Sequence, residues 1–78
     1  VATGSFYFKD ANGNSQQIDD PTDYDDYNVI IGAGDLSNAT DATVTLYTER
    51  GGSGGSDSIY PGGSRYSSSV YLSCKFTR

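Results

Sequence analysis

The chain has no histidine, no methionine, no tryptophan and a single cysteine, Cys74. Without histidine there is no Ser–His–Asp or Cys–His nucleophile pair and no imidazole metal site. One thiol cannot supply the thiolates that zinc would then need, nor can it close an intrachain disulfide. No stretch approaches 18 consecutive apolar residues, so no helical membrane span is encoded. Positive charge is scarce too: five Lys and Arg stand against ten Asp and Glu, a net charge of −5. Nucleic acid binding needs a basic footprint, and anionic membrane surfaces demand one for the same reason. Both are disfavoured.

What is present points to a small β protein. The 78 residues include ten Gly and two Pro. A chain this short buries only about 60–65% of its unfolded surface, so its core is marginal. Disulfides, a metal or oligomerisation usually help at this size. With the disulfide excluded, a metal, self-association or tight β packing is left. The composition leans on Gly, Ser, Thr, Asn, Asp and Tyr, with Lys9 and Lys75 as its lysines. That balance fits an extracellular protein. Val1–Ala2–Thr3 would suit a mature end after signal-peptide removal. Charge is uneven: residues 1–41 carry −7 and residues 42–78 carry +2. Acidic loops kept soluble explain this, as does a polar molecule that stacks on its own copies or binds cations.

Helix is hard to find, because Gly and β-branched or aromatic residues interrupt every window. Strands are expected at Ser5–Lys9 and Ser15–Ile18, joined by Asn12-Gly13, whose residues tolerate positive φ. Further strands are expected at Tyr27–Ile31, Thr43–Thr48 and Ser58–Tyr60. Asp35–Asp41 reads as a polar connection, Gly51–Gly55 as a glycine loop and Pro61-Gly62-Gly63 as a turn. In the last strand Val70, Leu72, Cys74 and Phe76 alternate with polar residues and should share one buried face. The expected fold is all-β, a small Greek-key β-sandwich of about six to eight short antiparallel strands. The expected core is Phe6, Phe8, Ile18, Val29, Ile31, Val44, Leu46, Ile59, Val70, Leu72, Cys74 and Phe76.

Shifting the chain by 41 residues brings its halves into step. Phe6 meets Tyr47, Gly13 meets Gly54, Ser15 meets Ser56, Ile18 meets Ile59 and Val29 meets Val70. In each half an aromatic precedes a Gly by seven residues, Phe6 to Gly13 and Tyr47 to Gly54, where a left-handed residue is needed. This pattern resembles the βγ-crystallin Greek-key motif. Leu46-Tyr47-Thr48-Glu49-Arg50-Gly51 is similar to that family's first strand and folded hairpin. Ser69-Val70-Tyr71-Leu72 is similar to its Ser-containing fourth strand. The first half departs from the pattern, with Asn28 in place of the Ser. The segments Gly13–Asn28 and Gly54–Ser69 are also short. The family's calcium signature is intact in neither half. The resemblance implies one domain over residues 1–78, built from Greek-key halves 1–41 and 42–78, that acts by binding rather than by chemistry.

Five carboxylates, Asp19, Asp20, Asp23, Asp25 and Asp26, fall within eight residues. Hard cations take six to eight oxygens, so this stretch is the candidate Ca²⁺ site, against the plainer reading of a solvated loop. Asp10-x-Asn12-x-Asn14 imitates the start of an EF-hand loop but lacks its Gly and Glu, and reads as a hairpin turn. Asn38-Ala39-Thr40 is a glycosylation acceptor sequence. Cys74 is expected as a core thiol, with an interchain bridge as the alternative. Tyr7, Tyr24, Tyr27, Tyr60, Tyr66 and Tyr71 offer a carbohydrate or protein contact surface, or ordinary strand faces. Val1–Phe8 is expected as an edge or donated strand, with Val1, Ala2, Thr3, Gly4 and Ser5 mediating self-association.

No catalytic set is visible, so an enzyme is not expected. The leading expectation is a secreted βγ-crystallin-like module: structural, cation-binding, inhibitory or toxic. The alternatives are a filament or surface-layer subunit joined by strand pairing between copies, and one subunit of a processed two-chain secreted toxin.

Overall fold

A computed structural model describes residues 2–78. Eight strands run β1 (Gly4–Lys9), β2 (Ser15–Asp19), β3 (Asp26–Tyr27), β4 (Gly34–Thr40), β5 (Thr43–Glu49), β6 (Ser53–Ile59), β7 (Ser64–Ser67) and β8 (Ser73–Thr77). There is no helix among the described residues, so none is long and apolar enough to cross a membrane. The strands form two antiparallel sheets, ordered β2-β1-β4-β7 and β3-β8-β5-β6. This is the all-β sandwich that the alternation and the glycine punctuation predict.

The connectivity has a near-symmetry. β1 pairs with β2 and β4 as β5 pairs with β6 and β8. The third strand of each half leaves its own half: β3 pairs with β8, and β7 pairs with β4. Where the crossing segments meet, Ile31 and Tyr71 exchange reciprocal backbone hydrogen bonds of 2.8 and 2.9 Å. The constant 41-residue offset holds for Ile18 and Ile59, which face Phe6 and Val44 across their hairpins. It fails for Phe6, whose counterpart is therefore Val44 and not Tyr47. The reason is that the second hairpin is longer: Tyr47 and Ser56 enclose three more residues than Lys9 and Ser15 do, one of them in a bulge where Thr48 opposes both Gly54 and Gly55. Gly13 and Gly54 both take the left-handed backbone expected of them, at φ 83° and 80°. Gly13 does so in the turn and Gly54 in this bulge.

Sheet-facing alternation builds the core. Phe6 and Phe8 from β1, Leu36 from β4, Val44 and Leu46 from β5, and Cys74 and Phe76 from β8 are buried together with Ile31, Ile59 and Tyr71. Phe6 stacks on Phe8 at 5.5 Å and meets Phe76 edge-on at 5.8 Å, which ties one sheet to the other. Tyr27 meets Phe76 edge-on from the far side at 5.7 Å. Such pairs are favourable beyond the area they bury.

Several expectations are corrected. Asp35–Asp41 is not a connection: β4 is a central strand whose buried face is Leu36, Asn38 and Thr40. Asn38 sits at 0% exposure because its side chain is fully partnered. Its Nδ2 donates to Ala42 O (2.7 Å) and Ile59 O (2.9 Å), and its Oδ1 accepts from Thr40 N (3.1 Å) and Thr40 Oγ1 (2.5 Å). Ser53–Gly55, expected in a loop, belongs to the edge strand β6, and Ser64–Ser67 forms a further strand, β7, that no hydrophobic alternation marks. The final strand starts at Ser73, so Val70 lies outside it at 49% exposure and Leu72 is half-buried. Tyr71 and Ser73 are buried in their place.

The N-terminal segment is not an edge. β1 is internal, with β2 on one side and β4 on the other. Gly4 lies at φ 111°, and a Cβ there would come within 2.1 Å of Ala39 O. Ala2 is fully buried and donates its N–H to Pro21 O.

Candidate functional site

The outward face of the first sheet carries exposed aromatic and polar side chains on neighbouring strands. Because β1 alternates, Phe6 and Phe8 point inward while Tyr7 points out, at 44% exposure. Register then sets its neighbours. Gln17 stands opposite Tyr7 on β2 and Ser37 on β4, and Ser64 of β7 stands opposite Ser37. One step along the strands, Lys9 faces Ser15 on β1–β2, and Asp35 faces Tyr66 on β4–β7. Tyr66 is 71% exposed.

Two shallow depressions lie on this face and share Asp35 and Ser37. One, of about 430 Å³, reaches Tyr7, Lys9, Ser15 and Gln17. The other, of about 310 Å³, reaches Ser64, Arg65 and Tyr66. Together they form an open trough that crosses the four strands, floored by serines and walled by Tyr7, Lys9 and Tyr66. The stem of Lys9 is held along Gly34, whose missing side chain makes the room. At the edge of the sheet, Arg65 pairs with Asp57 of β6. The Arg65 guanidinium holds the Asp57 carboxyl below the usual carboxylate range, and Asp57 in turn raises Arg65. This pair joins the edges of the two sheets beside Tyr66, while β7 itself is held by its pairing with β4.

The acidic run does not converge. Asp19 accepts from Ser5 Oγ and Gln17 Nε2, which lower its pKa in that order of effect. Asp20, in left-handed backbone at φ 44°, accepts from Gly4 N at 3.0 Å. Asp23 pairs with Arg78 and Asp26 with Lys75, while Asp25 is exposed. Among the described residues no three His, Cys, Asp or Glu side chains are grouped to hold a metal ion. The loop is a clasp instead. Pro21 takes Ala2 N, Tyr24 N donates to Phe76 O, and Tyr24 Oη donates to Arg78 O. It therefore ties Ala2 to the same loop that holds Phe76 and Arg78.

The other sequence candidates resolve as follows. Asn38 cannot carry a glycan in this fold: both its amide protons are donated inside the core. Of the assembly segment, Val1 lies outside the described residues. Ala2, Thr3, Gly4 and Ser5 bond within their own chain, to Pro21, Asp41, Asp20 and Asp19. Asp10 is a turn residue whose Oδ1 accepts from Asn12 N and Asn14 N, with the bond from Asn14 the main cause of its lowered pKa. Cys74 is a buried free thiol, pushed up to about 12 first by desolvation and then by the Asp26 charge. Ser73, not Ser69, ties the second hairpin to the final strand. Its Oγ donates to Glu49 O (2.6 Å) and accepts from Gly52 N (3.2 Å).

Sequence reasoning flagged Tyr7 and Tyr66 but could not bring them together. Their proximity depends on β7 crossing to β4, which no local pattern announces. No family model matches the chain, and no curated protein or solved structure matches it either.

Proposed function

We propose that this chain is a secreted, non-enzymatic binding module of the βγ-crystallin-like kind. The near-symmetric pairing of the two halves carries the reading: β1 pairs with β2 and β4 as β5 pairs with β6 and β8. Two Greek-key halves are what the resemblance implies. The left-handed Gly13 and Gly54 support it further. Binding, rather than catalysis, follows from an exposed face of aromatic rings and short polar groups on rigid strands. Such a face offers contacts without a cleft that excludes water. Secretion rests on the Ser-, Thr-, Gly- and Asp-rich, lysine-poor composition.

The test is fractionation of the source followed by native mass spectrometry of the isolated chain, with and without calcium. The chain should be recovered outside the cell with a non-covalently held molecule. Recovery solely from inside cells, or a bare monomer in every preparation, would overturn the proposal.

A further inference from the structure

We infer that the trough on the first sheet binds neutral oligosaccharides, an inference that rests on the binding reading above and names its ligand. A sugar hydroxyl both donates and accepts, so its site needs groups of both kinds side by side. The trough supplies them. Lys9 only donates and Asp35, when ionised, only accepts. Gln17, Ser37 and Ser64 do both. These groups sit on neighbouring strands about 4.8 Å apart, held by backbone pairing rather than on mobile loops.

The apolar side of the match comes from the two tyrosines. A pyranose ring presents C–H groups on its faces, and an exposed aromatic ring gives them a flat apolar partner with a polar tip. Tyr7 and Tyr66 stand two strands apart and one residue pair out of line. From strand geometry their Cα atoms are roughly 12 Å apart, so more than one sugar ring fits between them. The serine floor keeps the space between the rings open. The trough is also open at both sides, which suits an extended chain better than a small enclosed ligand.

Charge selects the neutral class. One cation and one carboxylate, Lys9 and Asp35, line the first depression, and Arg65 at the rim is paired with Asp57. Among the described residues Lys9 and Arg65 are the cations lining the trough, too few to cluster around phosphate or sulfate groups. The acid-rich residues 19–26 are engaged elsewhere, in the clasp.

The experiment uses the ¹⁵N-labelled full chain. Its amide signals are followed during titration with maltopentaose, cellopentaose, xylopentaose and mannopentaose, and separately with heparin. At least one of the neutral sugars should shift Tyr7, Ser37, Ser64 and Tyr66 while leaving Tyr24 and Tyr60 in place. Tyr7→Ala and Tyr66→Ala should each weaken that binding by about tenfold, one stacked ring's worth. Tyr60→Ala, exposed like Tyr66 but lining neither depression, should leave it unchanged. Variant urea midpoints close to the parent's establish that the fold is intact. No response to any of the neutral sugars, shifts confined to another face, or a preference for heparin would overturn the inference. The broader proposal fails separately, if the natural protein carries no bound molecule at all.

Discussion

Replacing Asn38 with Ala tests how a polar residue comes to sit in the core of β4. In the native chain Asn38 Nδ2 satisfies the carbonyls of Ala42 and Ile59, and Oδ1 serves Thr40 twice. Alanine removes all four contacts and leaves a void. Ala42 O keeps a 3.1 Å bond from Thr40 Oγ1, so its loss is partial. Ile59 O loses this donor and Thr40 N this acceptor. A buried group deprived of its partner costs about 1–3 kcal/mol, so about 3–5 kcal/mol is expected overall. A 78-residue chain has about 4–12 kcal/mol in total. The variant should therefore stand near the edge of folding. Urea unfolding followed by tyrosine fluorescence would show it: with a slope of about 1 kcal/mol/M, the midpoint should fall by about 3 M or vanish. Asn38→Asp sharpens the test, because a carboxylate cannot donate to either carbonyl. It should be at least as damaging at neutral pH, and Ser37→Ala, one residue away on the exposed face, should be nearly silent. A cost below about 1 kcal/mol for Asn38→Ala would refute the view that this amide organises the junction between β4 and β5.

Three further outcomes are expected. Leu46→Ala should cost about 2–5 kcal/mol as a core truncation, while Val70→Ser should change urea stability little; equal effects would contradict the observed burial. Cys74 should resist iodoacetamide at pH 8 in the native state and react promptly in urea, because reaction requires the thiolate that burial suppresses; rapid native labelling would refute this. Asp10, Asp19 and Asp57 have folded pKa values below their unfolded ones, so the stability they contribute is present above about pH 4. It should be lost as pH falls through the lower folded values, and Asp57→Asn should flatten that loss in acid unfolding curves.

Much of the fold was legible because β1 and β5 alternate cleanly, apolar in and polar out. β4 was hidden by Asn38 and Thr40, core residues that read as loop because their partners are backbone groups supplied from elsewhere. β6 and β7 lie at sheet edges, so no apolar stripe marks them, and Gly54-Gly55 suggests a loop where the strand merely bulges. In the last segment the alternation from Val70 to Phe76 runs across two structures. Tyr71 is turned inward by its bridge to Ile31, and the strand proper begins at Ser73. The acidic run was legible as unusual, but its role as a clasp depends on chain ends that are distant in sequence. The trough was legible only as scattered tyrosines, since cross-strand neighbours are fixed by topology.

The exchange of β3 and β7 has a consequence for inheritance as much as for shape. Neither half closes its own sheet, so a gene fragment encoding residues 1–41 or 42–78 specifies an unfinished surface with a vacant strand position. A backbone cut between Asp41 and Ala42 would not yield two independent modules. It would yield two complementary pieces, each bearing the strand the other lacks. Variation in one half is thereby constrained by the other: a change in β7 is read by β4, across the seam, before it is read by its own neighbours in sequence.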